Sequence, residues 1–339
     1  MKRRWLISRT DRLGDLLLTL PMGNFIRVHL PEVEPTFLVS SYAAPLVELH
    51  NPPFPLITWA EKTRLSGYEA LIHVYPRREI AWRGLQDRIP RRVGTSRRWY
   101  HWLTCTDLPS VKRQYSGKHE ALLNLMLLTP LLPSELRELI WSLSWEELLS
   151  YRARLLPSAS LPFLIQNEID AHNLRIVLHM GSGGGAPTWP HWVELAHLLV
   201  ESFPEALLIL TGTEAEKPRI ETIIACCPKA QWLNTAGLLS LSELITLIST
   251  SHLVIAGSTG PLHIAAALDV PSIGLYPATA AMGPWRWRPL SPYAISLSTN
   301  EVCSKCPLDT CVCLDSIPPR KVLSAAIQLL QSPRILHNS

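Results

Sequence analysis

Leu253-Val254-Ile255-Ala256-Gly257-Ser258-Thr259-Gly260-Pro261-Leu262-His263-Ile264-Ala265-Ala266-Ala267 runs from an apolar strand through small residues straight into a helix. A strand is expected over 253–256 and a helix over 261–268. Thr259 suits the helix cap and Pro261 its first turn. Gly260 lets a ligand or another backbone approach closely. The free N–H groups and dipole of such a helix start favour an anion. His263, on the first turn, could donate to a phosphate or sugar oxygen. The same residues also fit an ordinary strand–helix turn with a core histidine.

The pattern repeats in both directions. Upstream, strands are expected over 175–180 and 206–211, with helices over 192–202, 214–226 and 241–251. Downstream, a strand over 272–276 is followed by a closing helix over 319–330. The first half shows the same alternation: strands over 4–9, 35–40, 70–74 and 92–94, a helix from Asp15 through Ile26 ending before Pro31, and a mostly helical stretch over 134–156. Strands alternating with helices imply parallel sheets. A chain of 339 residues accommodates two such domains. The segment 157–162 serves as the linker, giving domains 1–160 and 161–339, with the closing helix able to pack back on the first.

Composition narrows the class. Hydrophobic residues make up 47% and charged residues 18%, a globular balance. A net charge of +4 is too mild to imply nucleic acid, and none is expected. The N-terminal run meets charge at Arg9 and Asp11 too soon for a signal peptide, and no window reaches the length of a membrane span. A cytoplasmic protein is expected.

Two further stretches carry chemistry. His179-Met180-Gly181-Ser182-Gly183-Gly184-Gly185-Ala186 follows a strand and can offer backbone N–H groups to a phosphate, yet matches neither the P-loop nor the dinucleotide fingerprint. A nicotinamide-dependent reductase is disfavoured because no GxGxxG follows the first strand. In Arg9-Thr10-Asp11-Arg12-Leu13-Gly14-Asp15, the carboxylate of Asp15 sits at a helix start beyond the first strand. It either caps that helix or accepts a proton from an acceptor hydroxyl. The helix dipole is expected to depress its pKa.

These residues resemble glycosyltransferase family 9, the lipopolysaccharide heptosyltransferases. The resemblance rests on Arg9 to Asp15 with Leu20-Pro21, on Ser258 to His263 with its Ala-rich helix, and on landmarks between them. Those are His179-Met180-Gly181-Ser182 with Trp189-Pro190, Gly212 with Glu216, and Leu275-Tyr276-Pro277. It implies an α/β protein of the GT-B class, two Rossmann-like domains facing a central cleft. It also implies inverting transfer without a metal or other cofactor, from a nucleotide-sugar donor (usually ADP-heptose) to an anionic glycolipid acceptor of the lipid A–Kdo or inner-core type. By resemblance Asp15 is the base. Ser182, Gly183, Glu216, Ser258, Thr259, Gly260 and His263 hold the donor.

Two positions depart from the family pattern. Pro187 stands near the usual Lys before Trp-Pro, and Ser258 stands where Asp commonly precedes Thr-Gly. Losing a phosphate-paired cation weakens leaving-group stabilisation by on the order of several kcal/mol unless another group replaces it. Lys217, Arg286 and Arg288 are candidates. The departures keep a second reading open, a non-catalytic nucleotide- or glycan-binding relative.

The segment 77–118 is rich in Arg and Lys with interleaved Trp and Tyr. Such a face suits an anionic acceptor or a peripheral position on a membrane surface. Arg9, Arg12, Arg77, Arg97 and Arg98 are the candidate acceptor-binding residues. Cys303, Cys306, Cys311 and Cys313 could hold a thiophilic metal, but their spacing departs from the paired CxxC pattern, and a structural loop is expected there.

Overall fold

The computed structural model describes residues 2–113, 116–181, 188–299 and 312–331. Ser182, Gly183, Pro187, Cys303, Cys306 and Cys311 lie outside the described residues. The chain divides into two compact units, Met1–Leu156 and Pro157–Ser339.

The first unit is built on a sheet of β1 (Arg3–Ser8), β2 (Val33–Val39), β3 (Leu56–Thr58), β4 (Ala70–His73) and β5 (Arg91–Val93). Its order is β3-β2-β1-β4-β5, and every pairing is parallel. Parallel strands covered on both faces read as continuous apolar runs. Here Leu6, Ile7, Phe37, Leu38, Leu71 and Ile72 are all fully buried. The helix expected from Asp15 to Ile26 is two helices, Leu13–Leu17 and Leu20–His29. Pro21 supplies no N–H to continue the ladder. Other carbonyls at this break find side-chain donors: Thr19 Oγ1 donates to Asp15 O at 2.8 Å, and Asn124 Nδ2 to Leu18 O at 2.9 Å. The stretch expected to be helical over 134–156 forms Ser134–Ser142 and Trp145–Ser150, the second opened by a Ser144–Glu147 capping box.

The second unit carries six parallel strands: β6 (Leu174–His179), β7 (Ala206–Thr211), β8 (Gln231–Asn234), β9 (Leu253–Gly257), β10 (Ser272–Leu275) and β11 (Ala294–Leu297). Their order is β11-β10-β9-β6-β7-β8. Strands run outward in both directions from a central first strand, the doubly wound arrangement of Rossmann-like folds. Its core joins Ile176, Leu178, Leu208, Leu210 and Ile255 of the sheet to Trp192, Leu195 and Leu199 of helix Trp192–Ser202. The closing helix, Pro319–Gln331, buries Val322, Ala325 and Ala326 in this same core.

Candidate active site

In each unit the strand order reverses beside the first strand, and the chemistry gathers there. Ligands of open parallel sheets bind outside the carboxyl ends of the strands at such switch points.

In the first unit, Arg9 follows the end of β1. Its side chain is only 5% exposed, and the guanidinium meets three carboxylates. Nε donates to Asp11 Oδ1 at 2.6 Å and Nη2 to Asp11 Oδ2 at 3.0 Å. Nη2 also donates to Asp15 Oδ1, while Nη1 lies 3.9 Å from Glu120 Oε1. Glu120 in turn accepts from Arg113, whose Nη1 also donates to Asn124 Oδ1 at 2.9 Å. Two guanidiniums thus face three carboxylates, an excess of one negative charge if all are ionised.

The Asp15 carboxyl is pushed up to about 6. Burial is the main cause, Asp11 and Glu120 add like-charge repulsion, and Arg9 opposes the shift. The expected depression by the helix dipole is overturned. Helix Leu13–Leu17 spans only five residues, and desolvation outweighs so short a dipole. Nor does Asp15 cap this helix: the N-cap is Arg12, without a side-chain cap hydrogen bond, and Asp15 lies inside the first turn. A carboxylate with such a pKa is a better-matched proton acceptor near neutral pH than an ordinary Asp.

The other basic candidates are distributed differently. Arg12, Arg97 and Arg98 are exposed, and Arg77 is half-buried with an ion pair of 3.7 Å to Glu79. Several cations of the 77–118 stretch turn inward instead. Arg91 pairs with Asp107 at 2.8 Å, and Arg92 Nε donates to the Thr104 carbonyl at 2.5 Å. Beside Arg97 and Arg98, Trp99, Trp102 and Leu103 stand 64%, 65% and 61% exposed, an apolar patch with a basic rim.

In the second unit, β9, β6 and β7 are adjacent, and three loops leave their carboxyl ends side by side. After β9, Thr259 is the N-cap of helix Gly260–Ala267 with Pro in the first turn; its amide donates to Gly257 O at 2.8 Å. Among the described residues, a β-carbon placed on Gly257 would meet nothing within 4 Å. His263 is buried on the first turn of that helix. After β7, Glu216 Oε2 accepts from Thr213 N at 2.7 Å and Thr213 Oγ1 at 2.9 Å. That carboxylate lies against Gly181, where any side chain would collide with it. Ser258, Thr259, Gly260, His263 and Glu216 therefore share one edge of one sheet. Of the cations considered as substitutes for the missing Lys, Lys217 lies 3.7 Å from Glu214, and Arg286 stacks over Trp287 at 4.7 Å.

Reading the sequence passed over Glu120, Arg113 and Asn124. A signal for two of them was present: Glu120 and Asn124 stand four apart in the otherwise apolar stretch Glu120 to Leu128, which puts both on one helix face.

A sequence model of the family described as glycosyltransferase family 9 (heptosyltransferase) matches residues 162–315. A provisionally named glycosyltransferase of Haemophilus influenzae is 25% identical over 310 residues, 84% of this chain and 86% of the relative. Lipooligosaccharide heptosyltransferase 2 of the same organism is 33% identical over 103 residues, 29% of either chain. Among solved structures, Escherichia coli ADP-heptose lipopolysaccharide heptosyltransferase II superposes with a TM-score of 0.75 at 18% identity, covering 97% of this chain and 98% of that one. The fold is therefore the GT-B class expected, built of Rossmann-like units. With the family's model matched across most of the second unit and a relative aligned along most of its length, the chain is similar to members of glycosyltransferase family 9.

Proposed function

We propose that the protein is an inverting glycosyltransferase that moves a heptose from ADP-heptose to a lipopolysaccharide-type acceptor, with no metal ion at the reacting centre. The observation that carries this reading is Asp15, raised to about 6 beyond the end of β1 and fixed by Arg9. In the proposed step Asp15 takes the proton of the acceptor hydroxyl as its oxygen bonds to the anomeric carbon, and the bond from that carbon to the diphosphate breaks. The proton ends on Asp15 and the electron pair on the leaving ADP. Thr259, Gly260 and His263 at the helix start receive the diphosphate; the resemblance adds Ser182 and Gly183, which lie outside the described residues, to the donor set. Glu216 contacts the nucleoside. The names of the heptosyltransferase relatives support the donor and acceptor classes.

Arg12, Arg77, Arg97 and Arg98 would meet the phosphates of the acceptor, and the exposed Trp99–Leu103 patch would rest on the bilayer that carries it. Arg9 contributes differently from the direct acceptor contact expected of it: it orients Asp15.

The test is to incubate the purified chain with ADP-heptose, other sugar nucleotides and a Kdo–lipid A acceptor, and to follow nucleotide release. Acceptor-dependent release is expected, falling on the order of 10²–10⁴-fold in Asp15→Asn. Unchanged turnover in that variant would remove Asp15 as the base. Ser258 and Pro187 motivate a second reading, a binder without turnover. ADP binding with no release from any donor would establish it.

A further inference from the structure

A second cluster in the first unit is used by none of this chemistry. His73 closes β4, and Gly94 follows β5, the neighbouring strand. His101 lies on helix Trp99–Thr104 and Cys105 is its C-cap, four residues on and so on the same face. One ligand atom from each of His73, His101 and Cys105 lies within 4.8 Å of the other two.

The polar atoms of this cluster are unusually idle. His73 is 2% exposed and His101 is fully buried. Both ring nitrogens of His73 and Nε2 of His101 are buried without a hydrogen-bond partner among the described residues. Buried polar groups are nearly always satisfied, so an unpartnered nitrogen on each of these two neighbouring rings calls for a missing partner. Nδ1 of His101 lies 2.8 Å from Thr95 N and 3.2 Å from Thr95 O. The Thr95 amide donates to Nδ1, which leaves the ring proton on Nε2, and an ion bound at Nε2 displaces that proton. A β-carbon on Gly94 would lie 2.6 Å from both Cys105 Sγ and His101 Nδ1, so glycine leaves this space clear.

We propose that His73, His101 and Cys105 form a binding site for a thiophilic transition-metal ion of the Zn²⁺ type, at the carboxyl edge of β4 and β5. Shifts of under about 1 Å bring the three donors to the roughly 2.0–2.3 Å distances such an ion requires. Cys105 is only half-buried, so water can reach the fourth position. Binding replaces the thiol proton, which passes to solvent, and the resulting thiolate offsets part of the ion's charge.

The probe is Co²⁺, titrated into the full-length, chelator-treated, reduced protein. One equivalent is expected to bind through these residues with a thiolate-to-metal charge-transfer band in the near ultraviolet. Cys105→Ser should abolish that band, and His73→Gln should weaken binding tenfold or more. A Cys303→Ser/Cys306→Ser double variant should keep it. A band that survives Cys105→Ser but disappears in the double variant would put the metal on the C-terminal cysteines and overturn the proposal, as would the absence of any band. A measurement on the unaltered chain guards against variants that do not fold. Zn²⁺ should protect Cys105 from alkylation in the native protein, and equal labelling with and without Zn²⁺ would refute the site. None of these readouts depends on sugar transfer.

Discussion

At the scale of single residues the outcome turns on Asp15. Its folded pKa lies above that of an unfolded Asp, so the unfolded chain releases this proton first as the pH climbs. The stability associated with the protonated carboxyl is fully present below the ordinary carboxylate range and is lost as the pH rises through about 6. Two consequences have opposite signs. Turnover should rise with pH along a limb of apparent pKa near 6, because only the ionised form accepts a proton. Asp15→Asn, which never ionises, should unfold at a temperature equal to or above that of the parent, with the gap widening between pH 4 and pH 7. Paired melting curves across that range check this. A variant that melts lower at every pH would mean that the pairing with Arg9 outweighs desolvation. The sequence shows Asp15 but not its titration, since its burial comes from the fold and Glu120, whose charge adds to the shift, comes from a distant part of the chain.

At the scale of elements, what could be read from the sequence follows burial. The central strands β1, β2, β4, β6, β7, β9 and β10 were all expected, because runs such as Ala206-Leu207-Leu208-Ile209-Leu210 are apolar throughout. The strands passed over, β3, β8 and β11, all lie at sheet edges. Each is three or four residues long and partly exposed, so its apolar signal is weak. The loops after β6, β7 and β9 were legible as chemistry through their glycines, but their adjacency comes from the strand order, which a linear pattern does not state. Gly257 gives this adjacency a test. Gly257→Ala should leave the melting temperature nearly unchanged, since its β-carbon meets nothing within 4 Å among the described residues. If a diphosphate comes to rest there, the same methyl should weaken ADP binding by about tenfold, roughly 1.4 kcal/mol. Calorimetry with ADP distinguishes the outcomes, and an unaltered Kd would move the diphosphate away from β9.

At the scale of the whole molecule, no helix among the described residues is long and apolar enough to cross a membrane. Any attachment through the Trp99–Leu103 patch would therefore be made at a surface. Anionic vesicles should bind the protein in flotation assays, and Arg97→Ala/Arg98→Ala should reduce the partition coefficient on the order of thirtyfold, at about 1 kcal/mol per basic residue. Trp99→Ala/Trp102→Ala should lower it too. Equal flotation of all three proteins would leave the patch without this role. The carboxylate–guanidinium cluster around Arg9 bears on how the first unit comes into being. Arg9 and Asp15 precede four of that sheet's five strands along the chain, whereas Arg113 and Glu120 follow all five. Distant pairings of this kind are slow to close, because loop entropy is lost before the contact forms. The proposed proton acceptor is thus completed late, and a nascent first unit acquires its strands well before it acquires this cluster.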